Sequence, residues 1–227
     1  MPILEARDVT KTYQTRGVET PALRGVSLAI EAGEFSALAG PSGSGKTTLL
    51  NLFGALDVPT SGEVFLEGQP LGALSGSQLA ALRLEKLGFV FQAYNLIPVL
   101  TARENVEFVM ELQGVKPAER HARAESLLAE VGLGELGGKR PLEMSGGQQQ
   151  RVAVARAIAS GPRIVLADEP TANLDSKTAG QLLDLMHAMN REHGVTFLFS
   201  THDARVIAKA SRVVRLVDGR VAADERR

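Results

Sequence analysis

The 227-residue chain contains no cysteine. Disulfides and thiolate metal sites are therefore excluded, and the composition fits a reducing compartment. An excess of one sign of charge is also missing. With 25 Lys+Arg against 26 Asp+Glu the net charge is −1, so no strong sequence-independent attraction to nucleic acid is expected. No apolar run approaches the ~20 residues that a membrane-crossing helix needs. The start, Met1-Pro2-Ile3-Leu4-Glu5, lacks the basic and apolar regions of a signal peptide. Any membrane association is expected to run through a protein partner.

What is present is ordinary folding material: 44% hydrophobic and 22% charged residues, enough for one large α/β domain or a core with a smaller subdomain. Residues 3–9 and 25–30 read as short strands separated by a polar loop over 14–21. Residues 35–39 form a short buried-type strand that runs into a glycine-rich turn. A helix is expected over 46–55, broken by Asp57-Val58-Pro59-Thr60-Ser61-Gly62, with strands at 64–66 and 88–91. From Thr101 to Ala159 the pattern is helical: Thr101 and Glu104 have capping-box spacing, and Pro117 opens a helix that Gly132 closes. Strands return at 164–167 and 196–200. Between them Leu182, Leu185, Met186 and Met189 share one helical face. Val213 to Val217 and Val221 flank a hairpin turn at Asp218-Gly219. This alternation implies a mostly parallel sheet with a helical insert.

Three constellations carry chemistry. Gly40-Pro41-Ser42-Gly43-Ser44-Gly45-Lys46-Thr47 fits G-x-x-x-x-G-K-[ST], a P-loop. Its glycines let backbone N–H groups converge on phosphates, Lys46 supplies a mobile positive charge, and the Thr47 hydroxyl can ligate Mg²⁺. Further along, the strand 164–167 ends in Asp168-Glu169, where an open parallel sheet places its ligands. Asp168 is expected to hold Mg²⁺ and Glu169 to polarise an attacking water. Finally, Ser145-Gly146-Gly147-Gln148 opens a helix. Ser145 and Gln148 have capping-box spacing, so a plain helix start explains them. A glycine pair inside a helix start is costly, however, and suits a backbone that must approach something closely, such as a second phosphate group.

Taken in order, these motifs resemble those of ABC-type ATPases, and the resemblance covers essentially the whole chain. It implies an α/β fold: a P-loop NTPase core with a mostly parallel sheet, an N-terminal antiparallel β-subdomain, and an inserted α-helical subdomain over about 95–160. It implies that ATP is held by Tyr13, which stacks on adenine, and by Gly40, Ser42, Gly43, Ser44, Gly45, Lys46, Thr47 and Thr48. Mg²⁺ would be met by Thr47, Gln92 and Asp168. Glu169, Gln92 and His202 would form the catalytic group, with Gln92 also relaying to a membrane subunit. Ser145, Gly146, Gly147 and Gln148 would act on the ATP of a second copy, and Asp175 would link the two sites. His121, His187 and His193 are expected to be merely solvated. Two departures from the family pattern are mild: Met144 stands where Leu is usual, and Ala172 where many relatives have Gly.

The implied partners are a second copy, in an ATP-dependent homodimer, and a transmembrane permease subunit, with no nucleic acid. The implied location is cytoplasmic, peripheral on the inner face of the membrane. Within the family, Pro21-Ala22-Leu23-Arg24-Gly25-Val26-Ser27-Leu28 and Phe91-Gln92-Ala93-Tyr94-Asn95-Leu96-Ile97-Pro98 resemble the lipoprotein-release, macrolide-export and cell-division group. That points to export or release of a lipidic or hydrophobic substrate, or alternatively to driving a membrane complex that regulates cell-wall hydrolysis. A soluble DNA-repair or translation protein would carry long coiled coils or two cassettes, and neither is present. A P-loop kinase or GTPase leaves the second glycine motif and His202 unexplained.

Overall fold

The structure, a computed structural model, describes residues 2–15 and 17–227, leaving Met1 and Arg16 outside the described residues. The chain begins with β1 (Leu4–Thr15), β2 (Val18–Ile30) and β3 (Phe35–Ala39), followed by α1 (Lys46–Phe53). Next come β4 (Ser61–Leu66), β5 (Gln69–Pro70), α2 (Gly76–Lys86) and β6 (Leu87–Val90). Three helices follow: α3 (Ala102–Leu112), α4 (Pro117–Glu130) and α5 (Gly146–Ala159). The remainder is β7 (Ile164–Asp168), α6 (Ser176–His193), β8 (Thr196–Thr201), α7 (Ala204–Lys209), β9 (Arg212–Val217) and β10 (Arg220–Arg226).

One sheet is antiparallel, in the order β2-β1-β4-β5; the other has the order β10-β9-β3-β8-β7-β6. In the larger sheet β9, β3, β8, β7 and β6 are parallel, and β10 adds an antiparallel edge through the expected turn. Parallel strands are covered on both faces, so they read as nearly continuous apolar runs. Here Phe35, Phe197, Phe199 and Val165 pack on one face with α5 and α6. Leu38, Leu166, Leu198 and Val214 pack on the other with α1 and the antiparallel sheet. The carboxyl ends of β3, β6, β7 and β8 therefore open on one edge, the edge where such sheets bind ligands.

Two expectations need correction. The span 14–21 is not a polar loop: β1 and β2 continue through most of it, pairing Tyr13 with Thr20 and Gln14 with Glu19. Cross-strand pairing sustains polar residues in a ladder that faces solvent. The helix expected over 46–55 ends at Phe53, because Gly54 caps it and Ala55 takes a left-handed conformation at φ 52°. α2 was not expected at all, although Ser75 and Gln78 form a complete capping box at its start. Among the described residues no helix is long and apolar enough to cross a membrane.

Candidate functional site

The loop between β3 and α1 takes its shape from two glycines. At Gly45, with φ 98°, a Cβ would stand 2.6 Å from the Ala22 carbonyl oxygen. At Gly40 it would stand 2.2 Å from the carbonyl oxygen of Leu216. Any larger residue would push the loop off the neighbouring backbone. The far hairpin also braces the loop, since Gly219 N–H donates to the Ser44 carbonyl at 3.1 Å. Lys46 is largely buried, and its ammonium donates to the Gly40 and Pro41 carbonyls, both at 2.9 Å. A phosphate would compete for that ammonium on favourable terms, because charge-assisted bonds outrank those to a neutral carbonyl.

Two carboxylates face the loop from the end of β7. Asp168 Oδ1 accepts from the Thr47 hydroxyl at 3.1 Å. Glu169 has φ 45°, a conformation that costs a non-glycine residue about 1–3 kcal/mol. Its N–H donates to the Ser200 carbonyl at 2.8 Å. Its Oε1 lies 2.7 Å from His202 Nδ1, and its Oε2 accepts from the Thr201 hydroxyl at 3.0 Å. Gln92 follows β6, with its carbonyl held by Asn173 Nδ2 at 3.0 Å.

A cavity of about 530 Å³ joins these parts. Its walls include Tyr13, Ser42, Gly43, Gly45, Lys46 and Thr47, and also Thr48, Gln92, Glu169 and His202. Gly40, Ser44 and Asp168 belong to the same loop and strand end without lining it. At the rim, Tyr13 Oη donates to Asp57 Oδ2 at 2.9 Å while Lys11 Nζ stands 4.9 Å from the Tyr13 ring centroid. Lys11 also pairs with Asp57 at 2.6 Å. Burial, then the Asp57 hydrogen bond, raises the Tyr13 phenol above its ordinary range. Burial also pushes Asp57 up, but Lys11 and Tyr13 outweigh it and hold that carboxyl down.

The helix start at α5 lies elsewhere: Ser145, Gly146, Gly147 and Gln148 do not line this cavity. Ser145 and Gln148 do form a complete capping box, as their spacing implies. Close approach also holds, within the chain itself. A Cβ on Gly146 would stand 2.6 Å from Tyr94 Oη, and one on Gly147 would stand 2.5 Å from Thr178 Cγ2. Asp175 caps α6, accepting from the Lys177 and Thr178 N–H groups at 3.0 Å each.

The ABC transporter family model matches residues 23–172. The chain belongs to that family. An uncharacterized ABC transporter ATP-binding protein of Thermotoga maritima is 48% identical over 225 residues, covering 99% of this chain and 96% of its own length. The lipoprotein-releasing system ATP-binding protein LolD of Anaeromyxobacter dehalogenans is 49% identical over 224 residues, covering 98% and 94%. The macrolide export ATP-binding/permease protein MacB of Marinobacter nauticus is 47% identical over 223 residues, covering 98% of this chain but 34% of that protein. The chain thus spans about a third of that relative's length. A dimeric, post-hydrolysis structure of the ATP-binding cassette MJ0796 bound to ADP and Pi matches with a TM-score of 0.91 at 43% identity, over 98% of both chains. This ABC cassette is an ATPase.

Several supports of the cassette's site leave no mark in the sequence. Lys11 and Asp57 are 46 residues apart and meet only because β1 pairs with β4. Arg156 donates to the Tyr94 and Asn95 carbonyls at 3.0 and 2.6 Å, fixing two residues that both have positive φ. Nothing in either local pattern announces these contacts. His187 is not merely solvated, because its ring stands edge-on to Phe35 at 5.2 Å between centroids. His121 and His193 pair with Glu107 and Glu130 at 3.1 and 2.9 Å.

Proposed function

We propose that two copies of this cassette close head to tail on two ATP molecules and drive a membrane partner that exports or releases a lipidic or hydrophobic substrate. The observation that carries the reading is the separation of two phosphate-type features in one chain. The P-loop cavity gathers Lys46, Glu169 and His202, whereas the α5 start at Ser145 lies outside it. A helix N-terminus attracts an anion, so the α5 start of one copy is suited to the outer phosphates held by the other. The dimeric form of the MJ0796 cassette supports the pairing.

In this reading Tyr13 stacks on adenine, while Lys46, Thr48 and the loop 40–47 hold the phosphates. The oxygen donors Thr47 and Asp168, already 3.1 Å apart, and nearby Gln92 suit Mg²⁺, which takes hard oxygen ligands. The ion, when bound, neutralises charge that builds on the β- and γ-phosphates. Glu169 accepts the proton of a water whose oxygen attacks the γ-phosphorus; the bond to the bridging oxygen breaks and ADP leaves. His202 orients Glu169 and faces the γ-phosphate, and Asp175 links the two sites across the pair.

The membrane partner is a permease subunit or domain, which would place the cassette peripherally on the cytoplasmic face. An apolar groove of about 490 Å³ is lined by Leu84, Leu87, Phe89, Ile97, Phe108 and Phe91, the residue just before Gln92. A contact there would reach the catalytic loop through Phe91. The MacB relative, an ATP-binding/permease protein, supports such a partnership. The test is co-purification from detergent-solubilised membranes. The wild-type cassette should retain a multi-span membrane protein and Phe108→Asp should lose it. Recovery of the wild-type cassette alone would contradict the reading.

A further inference from the structure

Gln150 lies in the second turn of α5, four residues past Gly146, and is fully buried. Its amide nitrogen spends both hydrogens on backbone carbonyls, that of Pro170 at 2.8 Å and that of Phe91 at 3.3 Å. Those carbonyls belong to the residue just before Gln92 and the residue just after Glu169. β6 and β7 pair in parallel as far as Val90 and Ala167. Beyond that point the ladder stops, and the side chain of Gln150 spans the gap between the two diverging loops.

The bridge matters because neither loop is in a relaxed conformation. Glu169 is held at φ 45° and Tyr94 at φ 60°, and such conformations persist only where the surroundings impose them. Glu169 is anchored on one side by Ser200 and on the other, through Pro170, by Gln150. Gln92 is flanked by the Phe91 contact to Gln150 and by its own carbonyl bond to Asn173. At the other end of the amide, Gln150 Oε1 has no hydrogen-bond partner among the described residues, and a buried carbonyl left so costs about 1–3 kcal/mol. A residue selected for packing alone would not bury an unpaired carbonyl here.

We propose that Gln150 is a positioning residue for ATP hydrolysis. One amide, on the helix that begins at Ser145, sets the spacing between Gln92 and Glu169, so a shift of α5 is felt by both. The inference rests on the proposed roles of Gln92 and Glu169. It adds a route within one chain, from the end that would meet the partner's ATP to the residues that would act on the chain's own.

The test uses Gln150→Met, which keeps the length and apolar bulk of the side chain but removes both donors. Thermal unfolding, affinity for a non-hydrolysable ATP analogue, KM and kcat are measured in parallel with Glu169→Gln and Gln92→Ala. The expected result is a kcat about 10- to 100-fold lower, the scale of a ~1 Å misplacement, with analogue affinity within about 3-fold of wild type. In a Gln92→Ala background the same change should cost less than it does in wild type, because the Phe91 arm then has no Gln92 left to position and only the Pro170 arm still counts. Should Gln150→Met not fold, Gln150→Asn keeps the amide but is one methylene too short to reach both carbonyls, and it should show the same split. Native kcat in the folded variant, full multiplication of the two effects, or a kcat loss that only follows lost affinity overturns the proposal. If Glu169→Gln itself turns over normally, the catalytic reading beneath it fails instead.

Discussion

His202 Nδ1 and Glu169 Oε1 lie 2.7 Å apart, and the Thr201 hydroxyl occupies the other carboxylate oxygen at 3.0 Å. The carboxylate is thus oriented by two neighbouring residues of one strand end before any substrate arrives. Replacing Glu169 by Gln keeps the shape and removes the proposed proton acceptor. Steady-state phosphate release should fall by about 10²- to 10⁴-fold, the usual share of a general base, while ATP still binds.

Lys46 donates to its own loop through Gly40 and Pro41, so the ammonium is already placed over the cradle. Lys46→Ala should weaken ATP binding about 10- to 100-fold, corresponding to the ~1.5–3 kcal/mol of a hydrogen bond to a charged group. Titration with a fluorescent ATP analogue reads it. AMP, which lacks the outer phosphates, should lose much less.

Tyr13 is clamped between Lys11 and Asp57, leaving its ring on the cavity wall. Tyr13→Ala should raise the KM for ATP about 10-fold, within the ~1–3 kcal/mol of stacking a base on an aromatic ring, with kcat unchanged. Tyr13→Phe keeps the ring and should stay close to wild type. Steady-state kinetics of the two variants separate stacking from the Asp57 hydrogen bond.

Asp203 follows His202 and caps α7. The Arg205 guanidinium, helped by the Thr171 hydroxyl and the Arg205 N–H, holds its carboxyl down at about 2 despite desolvation. An unfolded Asp titrates near ~3.9, so the unfolded chain binds this proton first. The ionised group therefore stabilises the fold fully above pH ~4, and that contribution drains away as the pH falls towards ~2. Denaturant unfolding should show wild type more stable than Asp203→Asn at pH 5, with the difference shrinking below pH ~4. A difference that does not change with pH would contradict the assignment.

The P-loop, the acidic pair and the α5 start were legible because each is set by backbone demands over a few adjacent residues. A glycine that must approach Ala22 O, or a serine that must cap α5, leaves a mark at fixed spacing. Tertiary support leaves none. Lys11 finds Asp57, and Gln150 finds Pro170, through strand order and helix docking, and neither residue type is unusual where it stands. The 14–21 segment misled for the opposite reason: its polar residues look like loop, yet they are paired across β1 and β2. Met144, the departure from the usual Leu, is buried in the core beside α5, where its volume rather than its identity matters. α2 was readable from its Ser75–Gln78 box but lacks a strong apolar stripe, burying only Leu82.

In the proposed cycle two chains complete each nucleotide site. Sedimentation velocity of the Glu169→Gln variant, with and without saturating ATP and Mg²⁺, is the direct measurement, repeated with Ser145→Arg added. We expect a monomer without nucleotide, a dimer with it, and a monomer again in the double variant although ATP remains bound. A Glu169→Gln cassette that stays monomeric with ATP bound, or one that dimerises equally well with Arg at 145, would contradict the shared site.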